Sequence, residues 1–183
     1  MRDILLILHD IRSAHNVGAI FRTADAFAIK KIYLTGYTPE PHDIFGKLRK
    51  DFAKTALGAE KFIKWEKIKN IGVLIKNLKK EPASPAGRKI FIASLEQSQN
   101  SVPLNRFAAM KPHPNPLLRK ERGKEIITSL ALILGNEVNG IPKSVLFKSD
   151  AVLEIPMLGR KESLNVSVAA GIALYALRFN EPT

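Results

Sequence analysis

Three short segments carry the residue types and spacings with which this chain could do chemistry. In NVGAIFR, Asn16 to Arg22, the pattern predicts a helix capped by Asn16, with Gly18 allowing close backbone approach in the first turn. Arg22 falls one turn after Gly18 on the same face. A guanidinium is thereby set beside a helix N-terminus, where free N–H groups, the helix dipole and a planar cation suit a phosphate or a developing oxyanion. An asparagine cap and a surface arginine also coincide by chance, so this spacing gains meaning only from its company. The other two segments are LILGNEVNGI, Leu132 to Ile141, and EIPMLGRKESLNVSVAAGIALYAL, Glu154 to Leu177. Each runs from an apolar strand through a polar loop towards a helix. Ligands of open α/β sheets bind beyond the carboxyl ends of strands, so two such ends rich in polar residues mark a small-ligand site.

Other chemistries find little support. There is no cysteine, which excludes disulfides and thiol catalysis. His9, His15, His42 and His113 lack the spacing of metal ligands, and no Ser/His/Asp arrangement stands out, so no metal site is expected.

The elements that position these segments follow from apolar periodicity. Short apolar runs alternate with helical patterns, which predicts an α/β fold: a mainly parallel sheet of about six strands with helices on both faces. Strands are expected at Ile4 to Leu8, Lys31 to Thr35, Lys61 to Lys64, Lys89 to Ser94, Leu130 to Leu134 and Ala151 to Ile155. Ile68, Ile71, Ile75 and Leu78 recur at helical spacing among lysines and predict a surface helix burying one stripe. The last helix, Val166 to about Phe179, is apolar nearly all round and must be covered by more than one neighbour, for which a subunit interface is one route.

With 183 residues, 45% of them apolar, the chain reads as a single domain over residues 1–183 with a substantial core. Its formal charge of +12 favours a polyanionic partner, nucleic acid ahead of membrane. DILLIL near the start is too short to span a bilayer and lacks the regions of a signal peptide, so a cytoplasmic protein is expected. KPHPNPLLRKERGKE, Lys111 to Glu125, carries three prolines spaced two apart and reads as an exposed basic insertion between strands. KLRKDFAKTALGAEK, Lys47 to Lys61, is a candidate to meet RNA phosphates, with a plain surface helix as the competing reading.

Taken together and in this order, NVGAIFR, LGNEVNGI and IPMLGRKESLNVSVAAGIAL resemble the SpoU family of RNA ribose methyltransferases, within the SPOUT superfamily. The resemblance spans nearly the whole chain apart from the Lys111 to Glu125 insertion. It implies methyl transfer from S-adenosylmethionine to a ribose 2′-hydroxyl of RNA by a homodimer whose C-terminal part is threaded as a trefoil knot. Residue by residue, it implies Asn16, Arg22, Glu137, Ser163 and Asn165 as active-site groups. Backbone around Gly135, Ile155, Met157 and Leu164 would form the cofactor pocket, with Gly135 leaving room for the cofactor and the three apolar side chains packing on its adenine. No dedicated RNA-binding domain is expected ahead of the motifs, and compact members of the family often act on tRNA, so tRNA is expected ahead of rRNA.

A guanidinium is nearly always protonated and then has no acceptor, which favours an electrostatic role for Arg22 over that of a base. The base role stays open if the site removes a proton from it. Two rivals are an RNA-binding protein that keeps the fold but has lost catalysis, and a phosphate- or dinucleotide-binding enzyme. Retention of all five polar groups argues against the first. The second calls for a glycine-rich fingerprint, and SAHNVG supplies one glycine.

Overall fold

The computed structural model describes residues 3–80, 90–109 and 129–179. Seven strands form one sheet in the order β3-β2-β1-β6-β4-β7-β5, every pairing parallel. They are β1 (Asp3–His9), β2 (Lys31–Thr35), β3 (Trp65–Ile68), β4 (Ile90–Leu95), β5 (Val102–Pro103), β6 (Ser129–Leu134) and β7 (Ala151–Glu154). The helices are α1 (Ala14–Ala26), α2 (Lys50–Ala56), α3 (Ile71–Lys80), α4 (Leu104–Ala109), α5 (Lys143–Leu146) and α6 (Val166–Phe179), with a 3₁₀ turn at Ala59–Lys61.

Both sheet faces are covered, as the uninterrupted apolar runs of β1 and β6 require. Successive side chains of a strand point to opposite faces, and the core divides accordingly. Ile4, Leu6 and Leu8 of β1 and Leu130, Leu132 and Leu134 of β6 meet α1, α2, α4 and α6. Leu5, Ile7, Ala131 and Ile133 face the other way, onto α3 and α5. From α3, Ile71, Leu74, Ile75 and Leu78 are buried, each worth roughly 1.5–3 kcal/mol in removed apolar surface. Lys76, Lys79 and Lys80 of the same helix face water.

Two expectations need correction. The third strand is Trp65–Ile68 rather than Lys61 to Lys64, because the chain leaves α2 through left-handed Leu57 and Gly58 and spends residues 59–61 in the 3₁₀ turn. Ile68 therefore belongs to β3, not to the helix. A seventh strand, β5, is two residues long and, among the described residues, pairs with the end of β7 alone. Lys89 and the Lys111 to Glu125 insertion lie outside the described residues.

All strands run the same way, so the loops after β1, β4, β6 and β7 gather at one edge. The sheet grows from β1 through β2 to β3 on one side, while β6, β4, β7 and β5 lie on the other. The divergence at β1 and β6 is a topological switch point, where an open sheet leaves a crevice.

Candidate active site

The helix that opens the first motif starts earlier than expected. Ser13, not Asn16, is the N-cap: it is extended (φ −92°, ψ 116°), and its hydroxyl accepts from the Asn16 N–H at 3.3 Å. Both residues are good caps, and Ser13 wins because helical geometry already holds at Ala14. The correction matters chemically. Asn16 sits in the first turn with its side chain free of capping, and its amide donates to Glu137 Oε1 at 2.9 Å while its carbonyl oxygen accepts from Asn165 Nδ2 at 3.2 Å.

Asn16 thus joins Glu137 and Asn165 into one hydrogen-bonded chain drawn from all three sequence segments. Glu137 also accepts from the main-chain N–H groups of Arg12, at 3.0 Å, and Ser13, at 3.4 Å. Burial alone would raise its pKa, but these donors, the Arg12 N–H foremost and the Asn16 amide next, hold the carboxyl below its usual range. Asn165 caps α6, its Oδ1 accepting from the Ser167 N–H at 2.9 Å and the Ser167 hydroxyl at 2.6 Å.

The loop after β6 is built around Asn136, a buried residue that the sequence pattern did not single out. Its amide nitrogen donates to the Asp10 carbonyl at 2.8 Å and the Tyr37 hydroxyl at 2.6 Å, while its oxygen accepts from the N–H groups of Val138 and Asn139. Glu96, after β4, closes the same loop by accepting from the Ile141 N–H at 2.8 Å. Gly135 lines the crevice and is also required by its own loop: a Cβ there would lie 2.4 Å from the Ile141 side chain and 2.8 Å from the Gly140 carbonyl carbon.

Between the loops after β4, β6 and β7 lies a crevice of about 340 Å³. Gly135, Glu137, Ile155, Met157, Ser163 and Leu164 line it. The wall from Ile155 to Leu164 lies outside strand and helix, which leaves main-chain polar groups beside the apolar side chains. That donor set suits a ligand with a flat heteroaromatic ring and a polar tail. Among the described residues no cluster of three acidic or histidine side chains could hold a metal ion.

Arg22 is the group that one chain does not bring in. It is exposed on α1, does not line the crevice, and hydrogen-bonds or ion-pairs with no other described residue. Its neighbour Thr23 faces α6, where a Cβ on Gly171 would come within 3.9 Å of the Thr23 methyl. The exposed members of α6 are Val168, Ile172, Tyr175 and Phe179, spaced as one helical stripe. Among the described residues, α6 is covered on one side by α1 and α4 and exposed along this stripe on the other, where Tyr175 and Phe179 touch Phe27 at its margin.

Residues 3–175 match the model of the SpoU rRNA methylase family. The tRNA (guanosine(18)-2′-O)-methyltransferase of Escherichia coli is 26% identical over 174 residues, covering 94% of this chain and 62% of that protein. The chain thus spans about six-tenths of the length of such curated relatives. Among solved structures, an AdoMet-bound rRNA methyltransferase from Sinorhizobium meliloti aligns with a TM-score of 0.71 at 22% identity, over 99% of this chain and 57% of that one. A structure described as giving insights into the 2-OH methylation of C/U34 on tRNA aligns at 0.66 and 21% identity, over 96% of this chain and 94% of that one. A parallel sheet with a crevice beyond the carboxyl ends of β4, β6 and β7, a hydrogen-bonded chain that joins three motifs beside it, and a family match over residues 3–175 lead to one conclusion: the chain belongs to the SpoU rRNA methylase family.

Proposed function

We propose that this protein transfers a methyl group from S-adenosylmethionine to a ribose 2′-hydroxyl of RNA, tRNA ahead of rRNA. The single observation that carries the proposal is the chain of hydrogen bonds from Glu137 through Asn16 to Asn165 beside the crevice. The cofactor supplies a methyl already activated by its sulfonium. The residues present fit it: Ile155, Met157 and Leu164 give apolar walls for adenine, and the surrounding loops give main-chain donors and acceptors.

A ribose hydroxyl ionises far above neutral pH, so the protein's own groups must hold it and ease the loss of its proton. Asn16, Ser163 and Asn165 position the nucleotide, and Glu137 fixes Asn16 in the orientation this needs. Arg22 binds the adjoining phosphate and stabilises the emerging alkoxide. It reaches them from a second copy. The apolar stripe of α6, a helix that packs against the α1 that carries Arg22, supports a homodimer through this face that carries Arg22 to the partner crevice. A single domain, a cytoplasmic location and a C-terminal trefoil knot complete the reading.

tRNA is favoured because the E. coli relative is named for it and because the structure whose length this chain nearly matches concerns tRNA. Purified protein incubated with methyl-labelled cofactor and total RNA, followed by digestion to nucleosides, is expected to yield labelled 2′-O-methylnucleosides, chiefly in the tRNA fraction. A base-methylated product refutes the ribose assignment. Binding of cofactor and RNA without transfer makes the protein an inactive RNA-binding member of the family.

A further inference from the structure

The segment after β2 makes an excursion that the site does not account for. Residues 41–49 leave and return to the same place, closed by Arg49 N–H donating to the Pro41 carbonyl at 2.9 Å and by an antiparallel bridge between His42 and Leu48. Its tip is stiff: the Asp43 carboxylate accepts from the N–H groups of Phe45 and Lys47, both at 2.9 Å, and the Asp43 N–H donates to the Lys47 carbonyl at 2.8 Å. This framework holds up two large apolar side chains that touch no core, Ile44 at 90% and Phe45 at 86% exposure.

Exposed apolar side chains on a floppy loop need no explanation, whereas a rigid loop that presents an aromatic ring to water does. Four basic and two acidic side chains lie between His42 and Lys54, and one of the acids, Asp43, is committed to the loop's own N–H groups. Lys47 at the tip and Lys50 and Lys54 in the helix that follows are exposed. The strip that leads from β2 to the loop passes Tyr37, whose hydroxyl accepts from Asn136 of the site. An exposed aromatic face followed at once by exposed lysines suits an unpaired nucleobase with phosphates on either side, since every base has a π-face and the backbone is anionic.

We infer that the 41–49 loop is an RNA-docking element in which Phe45 stacks on an unpaired base of the substrate while Lys47 and Lys50 hold the flanking phosphates. This rests on the reading of RNA as substrate and adds how the strand is gripped: by a single-stranded stretch beside the modified nucleotide, not by a duplex.

Binding of a fluorescein-labelled 12-nucleotide single-stranded RNA, and of the 12-base-pair duplex it forms with its complement, tests this without cofactor. Phe45→Ala is expected to weaken single-strand binding about 5- to 150-fold and duplex binding far less, with the melting temperature unchanged, and Phe45→Trp to retain binding. Equal affinity of Phe45→Ala and the unsubstituted protein for the single strand overturns the inference, as does an equal loss for strand and duplex. A shift of Phe45→Ala from dimer to monomer in sedimentation also overturns it, because the tip is then a contact between copies. Failure of methyl transfer with intact single-strand preference counts against the proposed reaction and leaves the docking element standing.

Discussion

Glu137 is the residue on which the site's geometry turns. Its carboxylate accepts from two main-chain N–H groups and one amide, and among the described residues it is the partner that sets the angle of Asn16 towards Asn165. Glu137→Gln places an NH₂ among donors, so it is expected to lower stability by about 1–3 kcal/mol and to abolish most transfer, read by urea melts and by the labelled-cofactor assay. The pH dependence has a definite sign. A carboxyl with a depressed folded pKa contributes stability that is complete above its unfolded value of 4.5 and is lost as pH falls through the lower folded value. Melting temperatures of the unsubstituted protein are therefore expected to drop more steeply below about pH 5 than those of Glu137→Gln. Arg22 makes the opposite case, since it anchors nothing among the described residues. Arg22→Lys should leave the melting temperature in place and cut transfer roughly tenfold or more, because an ammonium cannot offer the planar fork. Near-normal transfer by that variant sinks the bidentate role.

Among elements, the α1–α2 contact decides how firmly the first motif is held. A Cβ on Gly18 would lie 2.4 Å from the Phe52 carbonyl oxygen and 2.4 Å from the Thr55 hydroxyl, so the close approach read from the sequence is real, and its partner is α2. Gly18→Ala forces the helices apart and should cost about 1–3 kcal/mol, measurable by chemical denaturation, with transfer falling as Asn16 shifts. The central strands were legible because burial on both faces writes them as unbroken runs, ILLIL in β1 and LALIL in β6. The edge was not. β3 reads WEKI, half-buried and interrupted by charge, while the neighbouring KFIK looked like a strand although Phe62 points into water. β5 is too short to leave a pattern. Pattern located the three loops, and the family resemblance pointed to Asn16, Arg22, Glu137, Ser163 and Asn165, of which Asn16, Glu137 and Asn165 are hydrogen-bonded together and Glu137 and Ser163 line the crevice. Neither could show that Asn16 is freed by Ser13, because two competent caps three residues apart look alike until the backbone chooses. Asn136 and Glu96 went unseen since both serve the loop itself, although the Asn-Gly turn of GNEVNG is a signal that such a loop needs buried polar support.

At the scale of the whole molecule, the exposed stripe of α6 predicts how copies associate. Ile172→Glu, in the middle of that stripe, is expected to convert a dimer to a monomer in sedimentation and to remove transfer, while the isolated chain keeps its far-ultraviolet circular dichroism. A dimer that survives this substitution overturns α6 as the interface.

The pairing of β1 with β6 has a further consequence, for the order of assembly. Leu8 and Leu134 sit side by side at the centre of the sheet, yet most of the polypeptide separates them, so the ribosome delivers one long before the other. Until then β1 has only β2 beside it, and its opposite edge waits unzipped. Contacts this distant along the chain form slowly, because loop closure is spent before any reward arrives. Asn16 acquires Glu137 and Asn165 only at the end of that sequence. A nascent or truncated copy ending before β6 therefore carries the first motif with nothing to oppose it, and competence for chemistry arrives in one late step.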